Sequence, residues 1–539
     1  MYGKILHLPC KEADMNILEV TNEFNEFLRK YENVEIPDIL QFNNGLVTWQ
    51  GKLKAIHDFD YKDKKFFSEN MEKTIQNYNE IIQMAILSIL SFLFDGGEYT
   101  SKMIMLVRNS QILLEDNRYF VYRQMNSYAF HFQNYLSEQG KWLNRLLYKE
   151  IIQQYKNELG IIQEVRPKEK RNKNNIVFFI GQFLNQSHGP TKTILERCSI
   201  LARKMNCNIT IINTNEMRGR AGYIPFCCPF YGNNVEEYQR YNEINFEGNR
   251  FGYVQCSEQM PNKDEILNIV EIVKKINPYC LFMVGDSSVC ADLCSNYYPL
   301  IDIGTVPSSI MATEGQFLLK GTPITEKDRE YIRQLGKSDN YLQYCLFTSS
   351  LVPQTKTIER SDIGVLEKDF VAIVVGGRLD YEVNIEFIEN VLCPIAENGV
   401  KIVFMGRFDS YSEIIKKYPI MEQYSVFVGW QSDVLAVNAV CDIYLNPRRY
   451  GGGTSVIEAM VKGVPPVTLS YGDVALGAGE EFCVRDYQEM VSRVLQMKDD
   501  ETYYHYLSEK ALKRADVMLD GESAFWKVFK KIESLEEFQ

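Results

Sequence analysis

Residues 447–460 have the sequence PRRYGGGTSVIEAM, and the fold is decided around this stretch. The segment before it, residues 441–446, has the apolar composition of a short buried strand. After the glycines, Val456, Ile457 and Met460 recur at the spacing of one helical face. Residues 464–469 then have the composition of another strand. The pattern therefore predicts that the three glycines form a strand-to-helix turn.

Such a turn is suited to bind phosphate. Glycines let backbone N–H groups approach a ligand closely, and the N-terminus of a helix carries partial positive charge. Thr454 or Ser455 can cap the helix or donate to a phosphate oxygen. Glu458, about one turn further, can accept hydrogen bonds from ribose hydroxyls. A turn that merely packs helix against strand is the alternative, but the strand–turn–helix–strand context followed by Gly-Val-Pro at 463–465 favours a nucleotide diphosphate site.

Composition excludes several functions. The chain has 539 residues, enough for two to four domains, and its 45% hydrophobic and 24% charged residues are ordinary for a globular protein. A net charge of −12 argues against nucleic-acid binding, which needs clustered Lys and Arg.

The cysteines and apolar runs indicate a cytoplasmic protein. The thirteen cysteines follow no metal-ligand spacing, which favours reduced thiols in the cytoplasm. The N-terminus lacks a signal pattern, and the longest apolar run, residues 84–94, is too short to span a bilayer. No lipid anchor motif is visible, and a peripheral membrane contact stays open.

The first 165 residues are expected to form a mainly helical domain that binds an acceptor or a partner. Apolar residues recur at helical spacing from Met71 to Phe94, and a second helical pattern runs over 127–160. A charged connector at residues 166–173 marks a domain boundary.

Residues 175–320 have the pattern of an α/β domain with a parallel sheet. Strands are expected at 176–180, 208–213, 253–256, 280–284 and 300–303, with helices between them. Ligands of such sheets bind at the carboxyl ends of strands. This rule places the loop with His188 and Gly189, and the loop with Asp286, at a site.

A second α/β domain is expected over residues 369–515. Residues 321–368 connect the two domains, and residues 516–539 form a C-terminal helix. The strands of the second domain are expected at 370–375, 401–405, 425–428, 442–445 and 464–469.

The motifs together resemble those of the GT-B glycosyltransferases, over residues 175–539 and most strongly over 372–468. Residues 377–379 look like the family's G-R-L loop, and 427–430 like the strand and loop beside the nucleotide base. Residues 446–458 are similar to the donor loop, and 463–465 to the usual G-x-P. The resemblance implies an α/β fold with twin Rossmann-like domains, here preceded by the helical domain.

The resemblance also implies roles for single residues. Arg378, beside Gly377, would place a permanent cation against the donor diphosphate. Glu458 would hold the ribose. The remaining donor-binding positions implied are Gly429, Trp430, Tyr450, Gly452, Gly453, Thr454 and Ser455. The family commonly works without metal or cofactor, so we expect a nucleotide-sugar co-substrate, with uridine as the most frequent base in the family.

Two departures from the family pattern leave the stereochemistry open. Many retaining members carry Glu where this chain has Tyr450, and often Lys where it has Val383. Arg407, Arg448 or Arg449 are candidates for the missing cation. An inverting enzyme would need a general base, for which His188 is the first candidate and Asp286 the second.

We therefore expect a cytoplasmic, metal-independent hexosyl- or N-acetylhexosaminyltransferase that acts on a glycan, a lipid-linked saccharide or a protein. A homo- or hetero-oligomer stays open. The main alternative is a catalytically degenerate GT-B protein that serves a glycosylation system as a binding subunit. A nucleotide-sugar epimerase, which needs no acceptor, is another.

Overall fold

The computed structural model describes residues 16–34, 39–57, 59–94, 97–132, 135–185, 188–257, 259–307, 309–346, 348–349 and 351–539. The chain divides into two compact units. The first contains the described residues up to 185, with 207–302 and 311–316. The second contains the described residues of 186–206 and 303–310, with 317–539. Gln186 and Ser187, in the loop expected to carry His188, lie outside the described residues.

The helices are numbered in chain order: α1 (Ile17–Arg29), α2 (Ile39–His57), α3 (Tyr61–Thr74), α4 (Glu80–Leu93), α5 (Glu98–Asn109), α6 (Glu115–His131), α7 (Glu138–Glu158), α8 (Gly189–Met205), α9 (Lys263–Ile276), α10 (Val289–Cys294), α11 (Glu326–Gln334), α12 (Leu379–Glu382), α13 (Ile385–Phe387), α14 (Cys393–Glu397), α15 (Tyr411–Lys417), α16 (Pro419–Tyr424), α17 (Val434–Asn438), α18 (Gly453–Met460), α19 (Gly472–Ala478), α20 (Tyr487–Asp499), α21 (Glu501–Leu519) and α22 (Gly521–Glu533).

The strands are β1 (Asn175–Ile180), β2 (Asn208–Asn213), β3 (Glu243–Phe246), β4 (Asn249–Gln255), β5 (Leu281–Gly285), β6 (Leu300–Gly304), β7 (Phe317–Lys320), β8 (Leu342–Tyr344), β9 (Phe370–Gly376), β10 (Val400–Gly406), β11 (Ser425–Gly429), β12 (Ile443–Leu445), β13 (Pro466–Leu469) and β14 (Cys483–Val484).

In the first unit, helices α1–α7 pack together with a sheet. Strands β3-β4-β2-β1-β5-β6 follow one another in that order. β1 pairs in parallel with β2 and β5, β2 pairs in parallel with β4, and β3 is an antiparallel edge. β1 is buried over Ile176–Ile180, as a central strand covered on both faces requires.

The helices α6 and α7 are anchored in the first unit by polar contacts with its α/β part. The Tyr148 hydroxyl donates to Asp292 Oδ2 at 2.6 Å. The Arg123 guanidinium donates to the carbonyl groups of Met217 and Gly219. Since these groups are buried, the helices and the sheet share one interior rather than meeting at a solvated boundary.

Both long helical patterns of the N-terminal region are interrupted. The pattern from Met71 to Phe94 divides into α3, a short 3-10 turn and α4, because Asn79 begins a new helix by accepting from the Ile82 N–H at 3.1 Å. The pattern over 127–160 divides into α6 and α7, and α7 is capped by Ser137, which accepts from the Gly140 N–H at 3.0 Å. Apolar periodicity alone predicted one long helix in each case. The N-capping side chains begin a new helix inside each pattern and so divide it.

The second unit contains a parallel six-stranded sheet in the order β11-β10-β9-β12-β13-β14. β9 is central and pairs with β10 over its whole length, from Phe370–Val400 to Gly376–Gly406. The apolar residues of β9, β10 and β12 lie in one core with Val456, Ile457 and Met460 of α18. The expected α/β fold is therefore confirmed.

Two expected boundaries of the second unit need correction, and one of its helical segments is irregular. Between Leu379 and Glu397 the chain forms α12, α13, a π-helical turn (Ile388–Leu392) and α14. The boundary expected between 515 and 516 falls inside α21. Helix α8, which follows β1 in sequence, belongs to the second unit. In the part of the chain that the structure describes, no helix is both long and apolar enough to cross a membrane.

Candidate functional site

The glycine turn (residues 451–453) lies between β12 and α18, as expected. Gly452 is the N-cap residue of α18 with φ +100°, a backbone conformation that other residues rarely adopt. A Cβ at this position would lie 2.8 Å from a guanidinium nitrogen of Arg449. The first N–H groups of a helix have no partner within the helix, so those at the start of α18 are suited to meet an anion.

The buried side chain of Arg449 supports the glycine turn. Its guanidinium donates to Asn446 Oδ1 at 2.8 Å, to the Val375 carbonyl at 2.7 Å, to Glu382 Oε2 at 2.8 Å and to the Tyr444 hydroxyl at 2.6 Å. The side chain is 4% exposed. Arg449 thus fixes the loop, and its charge is already matched by Glu382, so it is a poor candidate for the cation that replaces Lys at Val383.

Arg378 also approaches the glycine turn. It is the N-cap residue of α12, directly after β9. Its Nη2 lies 3.3 Å from the point where a Cβ on Gly451 would stand, so the guanidinium reaches the glycine turn. It also pairs with Glu382 Oε1 at 3.2 Å and remains 31% exposed. An anion at the turn would therefore meet a partly exposed permanent cation.

Glu382 joins the two arginines, since one carboxylate oxygen faces Arg378 and the other faces Arg449. Its side chain is nearly buried, and it comes from α12, whereas Arg449 comes from the donor loop. Opposite charges that are desolvated together hold each other in a defined geometry. Sequence analysis missed Glu382. Its position four residues after Arg378, the i,i+4 spacing of a helical ion pair, was the available signal.

The hydroxyl groups of Thr454 and Ser455 face protein partners. The Ser455 hydroxyl donates to the Gly452 carbonyl at 2.8 Å and lies 2.8 Å from the Tyr444 hydroxyl. Thr454 Oγ1 accepts from Ser349 at 3.3 Å. Neither side chain caps α18, because the N-cap position is taken by Gly452, which has no side chain. The structure therefore corrects the expected cap, and it leaves the backbone N–H groups of these residues as the donors toward a ligand.

Glu458 lies on α18, beyond its first turn, and is 13% exposed. Burial raises the pKa of this carboxyl, while Lys192 counteracts the shift. Lys192, from the first turn of α8, places Nζ 3.6 Å from Glu458 Oε1. Lys192 was not singled out from the sequence, because no local pattern links it to a residue 266 positions later.

The positions expected beside the base and the sugar carry aromatic side chains. Gly429 ends β11, and the next residue, Trp430, is 71% exposed. Tyr450 lies 4.8 Å from Tyr471, ring centre to ring centre, and the guanidinium of Arg448 lies 4.5 Å from the Tyr471 ring. Arg448 is thus oriented by an aromatic face, while Arg407 pairs with Asp409 at 2.8 Å.

His188 and Gly189 begin α8 in the second unit. His188 is the N-cap residue, and its Nδ1 lies 2.9 Å from Thr191 Oγ1. Burial lowers the pKa of His188 to about 4, so the imidazole is neutral at pH 7. A neutral imidazole can accept a proton, although such a low pKa makes it a weak base.

Asp286 follows β5 in the first unit, at the carboxyl end of a strand as expected. Its Oδ1 accepts from the Ser287 N–H at 2.9 Å. Ser287 is fixed in turn by the Ala312 carbonyl at 2.6 Å and the Tyr122 hydroxyl at 2.7 Å. Protein around the carboxylate raises the pKa of Asp286 through desolvation, although the side chain reaches solvent.

Within the described ranges, no group of three or more His, Cys, Asp or Glu side chains is arranged to hold a metal ion.

Asp473, which the sequence analysis did not select, lies next to the glycine turn. Its N–H donates to the Tyr450 carbonyl at 2.6 Å.

Comparison with known proteins agrees with this architecture. Residues 371–500 match the family model described as Glycosyl transferases group 1. A mutant O-GlcNAc transferase from Thermobaculum terrenum has 12% identity and a TM-score of 0.52, over 96% of this chain and 97% of that chain. No curated protein matches the sequence.

Two further structures are similar over a smaller share of the chain. HepE of Anabaena, in complex with UDP, has 12% identity and a TM-score of 0.46, over 67% of this chain and 100% of that chain. Sucrose-phosphate synthase from Thermosynechococcus elongatus has 12% identity and a TM-score of 0.47, over 67% of this chain and 99% of that chain. The Thermobaculum structure agrees with the expected fold, and the family model matches the part of the chain that contains the glycine turn and α18.

Proposed function

We propose that the chain is a GT-B glycosyltransferase that transfers a sugar from a nucleotide diphosphate donor, with UDP as the nucleotide, to an acceptor. The family-model match over residues 371–500 and the fold shared with the Thermobaculum structure support this proposal. The sugar is a hexose or an N-acetylhexosamine. The nucleotide sugar is a co-substrate, and the reaction needs neither a metal nor a cofactor.

One arrangement carries this proposal: the start of α18 and the Arg378 guanidinium face the same glycine turn. When a sugar leaves its donor, negative charge grows on the departing diphosphate. Preorganised N–H groups and a guanidinium stabilise that charge in place of a metal ion. Arg378 is suited to this role because Glu382 orients it without burying it.

The remaining donor contacts follow from position. Glu458 accepts hydrogen bonds from the ribose. The exposed indole of Trp430, after Gly429 at the end of β11, offers a face on which a base can stack. Gly377 lets the chain between β9 and Arg378 pass close to the diphosphate, and Tyr450 faces the sugar. Uridine is proposed from its frequency in the family.

On the acceptor side, we propose His188 as the general base and Asp286 as the second candidate, with Gly189 in the same loop as His188. His188 is neutral at pH 7, which is the form of an imidazole that can accept a proton. The acceptor is a glycan, a lipid-linked saccharide or a protein, and nucleic acid is not a partner. The helices of the first unit favour a large acceptor.

We also propose that the protein acts in the cytoplasm, where nucleotide sugars and reduced thiols occur together. The cysteines of the described residues are all free of disulfides, which agrees with such a compartment. Peripheral contact with a membrane, and assembly into a homo- or hetero-oligomer, are compatible with this role.

A thermal-shift experiment tests the donor site. UDP, GDP, ADP and CMP are added to the wild type, to Arg378→Ala and to Arg485→Ala. The last removes a fully exposed arginine that also pairs with a glutamate four residues away, so it is the matched control. A ligand that binds the native state raises its melting temperature. We expect UDP to raise it in the wild type and in Arg485→Ala, but not in Arg378→Ala. No shift with any nucleotide would overturn the proposal.

A catalytically degenerate binding protein is the second candidate. Two ion pairs favour the binding protein. Arg378 pairs with Glu382, and Glu458 pairs with Lys192, in the absence of a ligand. Release of UDP from UDP-sugars distinguishes the two functions. Turnover with an acceptor supports the transferase, whereas nucleotide binding without turnover supports the binding protein. An epimerase would convert the donor with no acceptor present.

A further inference from the structure

Asp473 is fixed against the donor loop by its backbone. It stands in the first turn of α19, and its N–H donates to the Tyr450 carbonyl at 2.6 Å. The preceding Gly472 has φ +75°, and a Cβ there would collide with the Arg449 carbonyl oxygen. The chain therefore lies so close to the donor loop that the backbone of Asp473 is fixed relative to the glycine turn.

Asp473 is 9% exposed as a residue, and among the described residues its carboxyl oxygens have no hydrogen-bond partner. A largely buried carboxyl without such a bond needs an explanation. Burial raises the pKa of Asp473 to about 7, and attraction to Arg378 limits the shift. Arg378 is the same cation that reaches the glycine turn.

The other charged groups around α19 are engaged elsewhere. Glu382 binds Arg378 and Arg449, and Glu458 on the adjoining α18 binds Lys192. At the opposite end of α19, Arg514 donates to the carbonyls of Gly477 and Leu476 at 2.9 and 2.7 Å.

The Tyr471 phenol near this end of α19 is neutral at pH 7. Burial raises the pKa of Tyr471, which lies against Tyr450. Arg378 is consequently the charge that Asp473 faces.

On the premise that the proposed donor site is correct, we propose that Asp473 is a positioning residue of that site. In the empty site its carboxylate attracts the Arg378 guanidinium toward the glycine turn. When the diphosphate of the donor takes over the guanidinium, Asp473 takes up one proton from solvent and donates an O–H hydrogen bond to a phosphate oxygen.

The physical reason is competition between anions for one cation. A buried carboxylate beside a bound diphosphate is repelled by its charge, and both effects favour the protonated form of the acid. A protonated carboxyl is a hydrogen-bond donor, whereas a carboxylate only accepts. Binding of the donor is thereby linked to proton uptake, so affinity must fall as the pH rises above the pKa of Asp473.

Isothermal titration calorimetry with UDP tests this proposal between pH 7.5 and 9.0, in two buffers of different ionisation enthalpy. The diphosphate of UDP is mostly ionised in this range, and the small titration of UDP itself is the same for every variant. We expect the wild type to take up close to one proton per UDP, with affinity falling about tenfold per pH unit. Asp473→Asn should bind UDP without proton uptake and with little dependence on pH.

Two further variants make the result specific. Glu489→Gln neutralises an exposed carboxylate paired with Arg485 and should behave as the wild type. Asp473→Glu keeps an acid in place and should retain proton uptake. This variant also tests the proposal if Asp473→Asn does not fold. Proton uptake that persists in Asp473→Asn, or its absence from the wild type, would overturn the inference. Failure of the wild type to bind any nucleotide would instead refute the proposed function.

Discussion

Lys192 Nζ lies 3.6 Å from Glu458 Oε1, and both side chains are largely buried. The acid proposed to hold the ribose therefore has a cationic partner already. Burial raises the pKa of Glu458, and Lys192 opposes that rise. Lys192 thus favours the ionised form of Glu458, which can accept hydrogen bonds from two ribose hydroxyls.

Glu458→Ala should lower the affinity for UDP by about tenfold or more, because hydrogen bonds to a charged group contribute about 1.5–3 kcal/mol. The wild type should bind UDP more tightly than 2′,3′-dideoxy-UDP, and this preference should vanish in the variant. Lys192→Met should also weaken UDP binding, since the buried carboxyl loses its counterion. Titration calorimetry measures all three. An unchanged preference for UDP in Glu458→Ala would show that the ribose lies elsewhere.

Gly452→Ala should disturb the glycine turn at a single atom. The added Cβ meets the Arg449 guanidinium in a backbone conformation that alanine rarely adopts, at a cost of about 1–3 kcal/mol. Both the melting temperature and UDP affinity should fall. Gly51→Ala is the matched control, because a Cβ at that helical glycine has no neighbour within 4 Å. Wild-type UDP affinity in Gly452→Ala would argue against this turn as the phosphate site.

Arg449→Met should destabilise the second unit by about 3–5 kcal/mol, because it leaves Glu382 buried without its stronger partner. Chemical denaturation followed by Trp430 and Trp526 fluorescence measures the change. Arg485→Met, at an exposed site, should stay within about 0.5 kcal/mol of the wild type. The double variant Arg449→Met with Glu382→Gln should recover part of the loss. No recovery would mean that packing, not charge, dominates at this position.

Glu216 should make the first unit less stable as the pH rises. Its Oε1 accepts from the Cys290 N–H at 3.0 Å, while Oε2 is buried and has no hydrogen-bond partner among the described residues. Burial raises the pKa of Glu216 from 4.5 to about 7. Between these values the unfolded chain loses its proton first, so stability that is complete below pH 4.5 declines until about pH 7, by roughly 1–3 kcal/mol.

Hydrogen exchange of peptides from β2 and α10, measured from pH 5 to 8, tests this decline. Allowance for the intrinsic pH dependence of exchange gives the local opening free energy. Glu216→Gln should flatten the profile, whereas Glu271→Gln, at an exposed carboxylate paired with Lys274, should not. A profile that keeps its slope in Glu216→Gln would assign the effect to another group.

Deletion of residues 1–165 should prevent the first unit from folding. It removes Tyr148 from Asp292 and Arg123 from the carbonyls of Met217 and Gly219, which leaves buried polar groups without partners. Circular dichroism and limited proteolysis report the loss. Nucleotide binding by a stable truncated protein would instead show that the helices form a separable domain.

Local patterns predicted much of the second unit correctly. The strands expected at 370–375, 401–405 and 425–428 are present within one residue, because each is an apolar run bounded by glycine or charge. The turn before α18 was predictable for the same reason, since three consecutive glycines between a strand and a helix allow few conformations. Short strands such as β7 and β8 carried no such pattern and were missed.

The candidate site was only partly predictable. Gly452, Arg378 and Glu458 belong to motifs whose meaning is local. Asp473 follows a Tyr-Gly pair of no distinct pattern, and Lys192 belongs to a helix that the sequence order assigned to the first α/β domain. Their proximity to the glycine turn depends on how distant elements pack.

Sequence alone was enough for the α/β class and the glycine turn, because hydrophobic periodicity and glycine content act over a few residues. Tertiary structure decided which charges meet. Arg449 became the support of the loop and Arg378 its exposed cation, although both are arginines near glycines in the sequence. The difference arises because Asn446, Tyr444 and the Val375 carbonyl surround the Arg449 guanidinium, whereas Arg378 stays 31% exposed, and such surroundings form only when the sheet and its helices pack.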